Sequence, residues 1–414
     1  MTLLRDMCYP TPHELALSAS TLADEHPARV ALRRAGTSRG GRPLWVLSVD
    51  GRNGGGRQVL VVAGAHANEP VGGATALDLA RRVIRGGGGG AGWHFLLCAD
   101  PDGADLHRTP HPYSLADYHR NFFRPPGPEQ PEWAPSLLAS DRLPPETLVL
   151  TGLIDELRPV LQVSLHGTDL GGSWVQLTRD VPGLAEPFGK SAAELRIPVE
   201  TGASDAAGWS SPGPGIFVMP EQRNEAGAFH PEDIRLSTWY HAHRHRGTTA
   251  IVEVPMWASD LVDDPAPHPD PRGALRMLAG RLIEDAALVA GPRRGVRGAG
   301  GDAAALLRAV DWTLALIPSV AAQWTGAGAS PEATTASVGS IDAFGRRLSL
   351  RAGAMLLRVL RAEGHPAAPA LDRLVTGWCE EFAARFQARW VPVSTQVEHQ
   401  SRTVLAAYER LADR

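Results

Sequence analysis

The chain has 414 residues, of which 43% are hydrophobic and 21% are charged, a composition typical of globular proteins that excludes a disordered chain. The formal net charge of −4 gives no basic surface of the kind that binds nucleic acid. Three cysteines are too few for a disulfide framework or a thiolate zinc site. We expect one large domain with an appendage, or two domains.

The N-terminal segment bears on cellular location. Residues 1–10 have no apolar core of the length that a secretory signal needs, because Asp6 and Pro10 interrupt it. No stretch reaches the roughly 18–20 apolar residues of a membrane span. We therefore expect a cytoplasmic protein without a membrane or nucleic-acid partner.

The first elements in chain order are a helix and several short strands. Thr11 and Pro12 provide a helix start signal, and apolar residues at helical spacing predict a helix within residues 10–28. Apolar runs predict strands near 31–32, 45–49 and 59–63, and helical spacing predicts a helix over 73–85. The five glycines that follow, 86–90, predict a flexible loop and not a phosphate-binding loop, since no Lys-Ser/Thr ending follows.

Side chains that could bind a metal follow the strand 59–63. That strand stops at Gly64, and His66 and Glu69 come next, three positions apart. Imidazole nitrogen and carboxylate oxygen are both zinc ligands, and a catalytic zinc site takes three protein ligands and leaves a fourth position for water. The segment therefore predicts two ligands of a zinc site.

Two later predicted strands also carry a side chain that could bind a metal or act as a base. The apolar run 160–165 is followed by His166 and Gly167, and the strand 248–254 is interrupted by Glu253. A buried carboxylate needs a partner, which a zinc-bound water would provide. Each residue alone is more often a loop cap or a hydrogen-bonded core residue, so the prediction depends on all of them together.

Taken together, His66, Glu69, His166 and Glu253 resemble the zinc carboxypeptidase family of metallopeptidases, called M14, with its H-x-x-E motif, distant histidine and late strand glutamate. Three further segments are similar to motifs of this family: Gly-Thr-Ser-Arg-Gly-Gly-Arg at 36–42, Asp-Pro-Asp-Gly at 100–103 and His-Arg-Asn at 119–121. The resemblance covers about residues 9–260. Two positions depart from the family pattern, since Asp100 and His119 stand where the family has Asn.

The resemblance implies a set of roles. His66, Glu69 and His166 would bind one Zn²⁺ per chain, and Glu253 would act as general base and then as acid. Among the other residues, Arg108 would stabilise the oxyanion, with Arg124 as the alternative, and Tyr240 would assist at the reacting amide. Arg120, helped by Asn121, would bind the terminal carboxylate of the substrate, because a guanidinium matches a carboxylate with two hydrogen bonds. The other reading of these arginines is a solvated basic loop.

The fold that we expect is α/β: a mixed, mostly parallel sheet flanked by helices, as in zinc carboxypeptidases, followed by a C-terminal helical bundle. The proline-rich segment 121–152 and the segment 204–215 predict long surface loops, the first of which could wall the mouth of the site. His241, His243 and His245 alternate, so on a strand they would share one face. We expect a polar rim there and not a second metal site.

The composition changes after Trp257. A linker rich in Asp and Pro over 263–271 separates a predicted catalytic domain, 1–262, from a helical domain, 272–414. Helical patterns cover 273–290, 303–322, 341–363, 368–390 and 393–412, with connectors at 291–301 and 326–331. The bundle could cover the catalytic domain or form a homo-oligomer.

The predicted function is a zinc-dependent metallocarboxypeptidase that hydrolyses the C-terminal amide bond of a peptide. The alternative is a zinc amidase or deacylase of the succinylglutamate desuccinylase and aspartoacylase type, which acts on N-acyl amino acids or a small peptide metabolite. The Asp-Pro-Asp-Gly turn, Arg120-Asn121 and the separate Glu253 strand favour the carboxypeptidase. A scaffold protein on a decayed peptidase fold is a third reading, which the complete set of ligands disfavours.

Overall fold

The computed structural model describes residues 8–51, 56–109, 111–221, 233–297, 300–326 and 333–412. The strands in these ranges are β1 Val30–Thr37, β2 Pro43–Val49, β3 Gln58–Ala63, β4 Gly92–Leu96, β5 Leu161–Gly171, β6 Trp174–Leu177, β7 Ser210–Gly213, β8 Ile216–Val218, β9 Thr248–Ala258 and β10 Arg389–Trp390. The α-helices are α1 Pro12–Glu25, α2 Val71–Arg82, α3 Pro101–Leu106, α4 Leu115–Arg120, α5 Ala134–Leu137, α6 Pro145–Leu157, α7 Ala185–Leu195, α8 Thr238–His241, α9 Pro271–Arg293, α10 Asp302–Thr325, α11 Thr335–Ala362, α12 Ala368–Arg385 and α13 Val393–Ala412.

The strands form one mixed sheet in the order β1-β2-β4-β3-β5-β9-β6-β8-β7, and β10 pairs with β9. Its centre, β4-β3-β5-β9, is parallel. β3, β5 and β9 are buried along nearly their whole length, which explains their continuous apolar sequences. The predicted mixed sheet with flanking helices is confirmed, but the sheet is not mostly parallel: among the strand pairs of the described residues, four are parallel and five are antiparallel.

Helices cover both faces of the sheet. On one face, apolar residues of α1, α2, α7 and α13 pack on β3, β4 and β5 in a cluster that includes Leu15, Leu79, Phe188 and Val404. On the other face, α6 packs on the sheet through Leu150 and Ile154. Because both faces of the sheet are covered, the carboxyl edge of the parallel strands is left for a ligand. Open α/β sheets bind ligands at this edge, and the predicted zinc ligands lie there.

The start of α1 follows the predicted signal. Thr11 is the N-cap and forms a capping box with Glu14, in which each side chain accepts a hydrogen bond from the backbone N–H of the other. The helix α2 begins at Val71, two residues before the predicted start, and a short π-helical turn, Val83–Gly87, follows it. Part of the predicted glycine loop therefore extends this helix.

The C-terminal helical region is confirmed, but its last part belongs to the sheet layer. α9, α10, α11 and α12 pack on one another. β10 then pairs with β9 through Trp390 and Trp257, and α13, at the predicted bounds, packs against α2, α7 and β9. The chain thus returns from the bundle to the sheet.

Two segments that we expected to be surface loops contain regular structure and buried residues. The proline-rich segment 121–152 contains α5 and the start of α6, and Glu132 within it is fully buried. The segment 204–215 contains a 3-10 turn and β7. His241, His243 and His245 lie on a helical turn and not on a strand, so the shared face that a strand would give them does not arise. His241 and His245 both contact Asp155 instead, at 3.0 and 2.8 Å.

The helix α10 passes the length and composition test for a membrane span, with a mean hydropathy of 1.4 over its most apolar window. This corrects the expectation that no stretch reaches that length. The core helix of a bundle passes the same test. Its buried residues, including Leu307, Val310, Ile317 and Trp324, pack against neighbouring helices, and they make up 33% of the most apolar part of the helix.

Candidate metal centre and active site

The structure brings His66, Glu69 and His166 together at the carboxyl edge of the sheet. One ligand atom from each side chain lies within 4.8 Å of the others. His66 lies in the turn after β3, Glu69 just before α2, and His166 on β5, which pairs with β3 in parallel. Gly64 has φ +62°, a left-handed conformation that glycine adopts without strain, and it turns the chain out of β3 toward His66.

The three side chains contact one another directly. Nδ1 of His66 lies 3.1 Å from both carboxylate oxygens of Glu69, and Nδ1 of His166 lies 3.1 Å from Oε2 of Glu69. The two imidazole rings are perpendicular, with centroids 4.5 Å apart. Two imidazole nitrogens therefore converge on one carboxylate, the donor set of a catalytic zinc site.

Burial and charge set the pKa values of this group. Burial, with the nearby Arg124, lowers the pKa of His66 to about 4. Burial disfavours the ionised form of Glu69, but the two imidazoles outweigh it and hold the pKa of the carboxyl well below its usual range. Burial also opposes protonation of His166, yet Glu69 and Glu132 raise its pKa well above the ordinary value. In the metal-free cluster the ionised form of Glu69 and the protonated form of His166 are therefore favoured, and a divalent cation that binds here would displace the proton from His166.

Glu253 lies beside the cluster. It is on β9, directly opposite His166 in the β5–β9 register, and its Oε1 lies 3.6 Å from Nδ1 of His166. Burial raises the pKa of this carboxyl to about 8, and the carboxylates of Glu69 and Asp205 act in the same direction. A carboxyl group with a pKa near neutral can both accept and donate a proton at physiological pH.

Glu132 orients His166 from the side opposite Glu69. Oε2 of Glu132 lies 3.0 Å from Nε2 of His166, and Oε1 accepts a hydrogen bond of 2.5 Å from the hydroxyl of Ser164. With the Nε2 proton directed at Glu132, Nδ1 of His166 is left facing Glu69 as a ligand atom. Such outer carboxylates fix the tautomer of metal-binding histidines.

The last helix, α13, makes hydrogen bonds that support the backbone of β5 and β9. Nε2 of Gln400 on α13 donates to the carbonyl oxygens of His166 and Val252, at 2.6 and 3.0 Å. The hydroxyl of Ser173 donates to the carbonyl of Glu253 at 2.6 Å, and His399 contacts Ser173 in turn at 2.9 Å. Side chains of α13 therefore hold the backbone that positions His166 and Glu253.

Of the predicted arginines, Arg124 lies at the centre of the site. Its Nη1 donates to Oε1 of Glu69 at 3.1 Å, and its Nη2 lies 3.0 Å from Nε2 of His66. Nη2 also donates to the side-chain oxygen of Gln130 at 3.2 Å. Arg124 therefore places positive charge directly beside the cluster.

The structure places Arg108 beside a second cavity, which His66 and Glu69 also line, and not in the cavity that contains the whole cluster. Its side chain is 68% exposed and pairs with Asp105, which precedes it on the same stretch of chain. Tyr240 is also placed elsewhere: its hydroxyl donates to the carbonyl oxygen of Pro220 at 3.4 Å, and its ring lies against His243. Neither residue lines the cavity that contains the His-Glu-His cluster.

Arg120 and Asn121 also point away from that cavity. Nη2 of Arg120 donates to the hydroxyl of Thr376 on α12 at 3.0 Å, and Nδ2 of Asn121 donates to the carbonyl of Asp117 at 2.8 Å. The reason is tertiary: α4, which carries Arg120, packs between the sheet and the helical bundle. His119, at the departing position, is fully buried there, and burial lowers its pKa to about 3.

The cluster opens into a cavity of about 230 Å³. The wall opposite the sheet comes from α10 and α11 of the bundle, with Trp312, Arg347 and Arg351 among its residues, and the proline-rich segment adds Trp133. Sequence reasoning missed Glu132, Gln400, Arg347 and Arg351 as site residues. No spacing or motif signals them, because each is brought to the site by long-range packing.

A family model matches the part of the chain that carries the three predicted metal ligands. Residues 18–171 match the family model described as zinc carboxypeptidase, Peptidase_M14. The match includes His66, Glu69 and His166 and ends before Glu253. It confirms the resemblance to this family over the matched residues. No curated protein matches the chain.

Among solved structures, the chain is similar to the metallo-carboxypeptidase from Burkholderia cenocepacia, with 16% identity over 60% of this chain and 60% of that chain, and a TM-score of 0.38. It is also similar to bovine thrombin-activatable fibrinolysis inhibitor in complex with tick carboxypeptidase inhibitor, with 16% identity over 45% of this chain and 71% of that one, and a TM-score of 0.29. The chain thus spans less than two thirds of the length of the first structure. Likenesses at this level carry no argument about activity.

Proposed function

We propose that this protein is a zinc-dependent carboxypeptidase, which hydrolyses the amide bond to the C-terminal residue of a peptide. The observation that supports this most is the cluster of His66, Glu69 and His166, whose ligand atoms lie within 4.8 Å of one another, with Glu253 beside it. One zinc ion per chain is the expected cofactor. When bound, zinc polarises a carbonyl oxygen and lowers the pKa of a water molecule to about 7.

The chain's own residues would carry the proton and the charge. Glu253 takes a proton from the attacking water at its carboxylate oxygen and later gives it to the leaving nitrogen. Its pKa of about 8 suits both transfers, because general acid–base catalysis works best with a pKa near the operating pH. Arg124 provides positive charge for the oxyanion that develops on the carbonyl oxygen. We assign this role to Arg124 instead of Arg108 because only Arg124 contacts the cluster.

The enclosing wall of α10 and α11 limits the substrate. His66 and Glu69 also line a second cavity, of about 340 Å³. The cavity that contains the whole cluster has a volume of about 230 Å³, which lies below the volumes of about 300–1,000 Å³ typical of small-molecule pockets. It therefore suits a small peptide or the last residues of a longer one.

The placement of Arg120 favours a second candidate function. In the sequence, Arg120 and Asn121 favour a carboxypeptidase because they could bind the terminal carboxylate of a peptide. In the structure, both residues lie outside the cavity that contains the cluster, so this reason for preferring a carboxypeptidase is lost. A zinc amidase or deacylase that acts on N-acyl amino acids would use the same ligands and the same base. Its substrates are also small enough for the cavity.

A panel of substrates tests the proposal. The zinc-loaded protein would be given N-acetyl dipeptides and longer peptides, each with a free or an amidated C-terminus, together with N-acyl amino acids. We expect hydrolysis of peptides with free C-termini and much slower hydrolysis of their amides. Turnover of N-acyl amino acids alone would favour the deacylase, and no turnover of any amide by the zinc-loaded protein would contradict both functions.

A further inference from the structure

Two arginines of the helical bundle lie in the wall of the active-site cavity. Arg347 and Arg351 are one turn apart on α11, so they lie on the same face of the helix. Both line the cavity that contains His66, Glu69 and His166. Each side chain is only 15% exposed.

Both arginines pair with one carboxylate. Nη1 of Arg347 lies 3.1 Å from Oδ1 of Asp169, and Nη2 of Arg351 lies 2.9 Å from Oδ2. Asp169 is fully buried, and Arg351 also stacks over the ring of Phe122, 4.8 Å from its centroid. Two guanidinium groups against one carboxylate leave one positive charge in excess within this ion cluster.

The ion cluster also contains a buried donor that its carboxylate does not satisfy. Nε of Arg351 is buried and has no hydrogen-bond partner among the residues that the structure describes. Glu200 lies near Arg347 but accepts a hydrogen bond of 2.9 Å from the backbone of Gly172, and burial raises its pKa, which favours its neutral form. Asp205, which lines the cavity and acts on Glu253 and Glu200, adds negative charge to the wall. A buried donor without a partner is costly, and an anionic group of a ligand that accepts a hydrogen bond from Arg351 would offset that cost.

The partners of the two arginines follow His166 along β5. Thr168, which accepts a hydrogen bond of 3.0 Å from Arg347, and Asp169 follow His166 by two and three residues. At about 3.3 Å per residue this places them about 7–10 Å along the strand. In a C-terminal residue the carboxylate carbon lies about 4 Å from the amide carbon, and a hydrogen bond adds about 3 Å.

We infer that Arg347 and Arg351 bind the terminal carboxylate of the substrate, the role that the resemblance gave to Arg120. This inference rests on the proposed function. The helical bundle would then be part of the substrate site, and it would select substrates that end in a free carboxylate at the correct distance from the cluster.

Measurements of binding test this inference, and measurements of hydrolysis test the proposed function, so the two can fail independently. The zinc-loaded Glu253→Gln protein, in which the base is removed, would be titrated calorimetrically with N-acetyl dipeptides that have free or amidated C-termini and small, aromatic or basic final residues. We expect the free acids to bind at least about tenfold more tightly than the amides, the difference that one charge-assisted hydrogen bond supports. This readout does not depend on turnover.

Variants then assign the preference to residues. Arg347→Met and Arg351→Lys should each remove most of the discrimination between acid and amide, and in the active protein they should raise KM more than they lower kcat. Arg351→Lys keeps the charge beside Asp169, so it should fold even where a neutral residue would not. The matched control is Arg346→Lys, on the same helix but paired with Asp342 and Glu381 outside the cavity. Discrimination that survives in both variants, or that is lost in Arg120→Met instead, would overturn the inference, as would equal binding of acids and amides by the Glu253→Gln protein.

Discussion

Oε2 of Glu132 lies 3.0 Å from Nε2 of His166, although the two residues are 34 positions apart and belong to a proline-rich segment and a buried strand. Because this contact occupies Nε2, it directs Nδ1 of His166 toward Glu69. The geometry of the metal ligands therefore depends on a segment whose sequence shows no regular pattern.

We predict that Glu132→Gln weakens zinc binding by about 10–100-fold, the usual effect of losing an outer carboxylate partner of a metal-binding histidine. A competition titration with a chromophoric chelator measures this affinity. Glu129→Gln is the control, because Glu129 is in the same segment but pairs with Arg308 at the surface. Equal zinc affinity of the Glu132→Gln and wild-type proteins would show that Glu132 has no role in positioning His166.

Removal of zinc should lower the stability of the protein. A ligand that binds only the folded state at 100 times its Kd stabilises that state by about 2.7 kcal/mol. We therefore expect the melting temperature to fall on chelation and to recover when zinc is restored. The His166→Ala protein should show no such response. A wild-type melting temperature that is independent of zinc would argue against a site formed by these residues.

Gly64 should be essential to the placement of His66. A Cβ at this position would lie 2.9 Å from Sγ and 3.3 Å from Cα of Cys98, and the φ of +62° costs an L-residue about 1–2 kcal/mol. We predict that Gly64→Ala loses at least this much stability and also binds zinc more weakly.

Gly41→Ala is the matched control for that variant. Gly41 has φ +84°, and a Cβ at this position would meet no other described residue within 4 Å, its two chain neighbours aside, so the substitution adds backbone strain alone. Denaturant unfolding and zinc titration of both variants make the comparison. If Gly41→Ala weakened zinc binding as much as Gly64→Ala, the loss could not be assigned to the turn before His66.

Asp100 should make the stability depend on pH. Burial raises the pKa of this carboxyl from 3.8 to about 7, opposed by the hydrogen bond from the backbone N–H of Gly103. The folded state therefore keeps the proton after the unfolded chain has lost it. The stability contributed by the protonated carboxyl is full below pH 3.8, declines as the pH rises, and is lost above about pH 7.

We predict that Asp100→Asn, which is neutral at every pH, is more stable than the wild type at pH 8 by about 2–4 kcal/mol and that this advantage shrinks at pH 5. Urea unfolding of both zinc-free proteins at the two pH values measures the difference. An advantage of the same size at both values would mean that Asp100 does not titrate in this range.

The parts of the site that could be predicted from the sequence are local. His66 and Glu69 follow a strand within a few residues, and His166 and Glu253 end or interrupt apolar strands, so their positions make them candidates, and the resemblance to the zinc carboxypeptidase family assigns their roles. Their convergence then follows from parallel neighbouring strands. The bounds of α13 can also be predicted from the sequence, because its helical pattern begins after Pro392 and continues without interruption.

The rest depends on long-range packing that no local pattern records. Arg120 matches a motif, yet α4 turns its side chain toward Thr376 of the bundle. Arg347 and Arg351 share a helix face, but their sequence spacing does not tell whether that face meets solvent, other helices or a cavity. The proline and glycine around Glu132 predict a surface loop, whereas the structure buries Glu132 completely.

In the proposed mechanism, a metal held by His66, Glu69 and His166 works with Glu253 as the base. Metal analysis and hydrolysis assays of the Glu253→Gln protein beside the wild type test it most directly. We predict one zinc ion per chain in both proteins and a hydrolysis rate about 10²–10⁴-fold lower in the variant. A Glu253→Gln protein that hydrolyses at the wild-type rate, or a wild-type protein that hydrolyses without bound metal, would contradict the account.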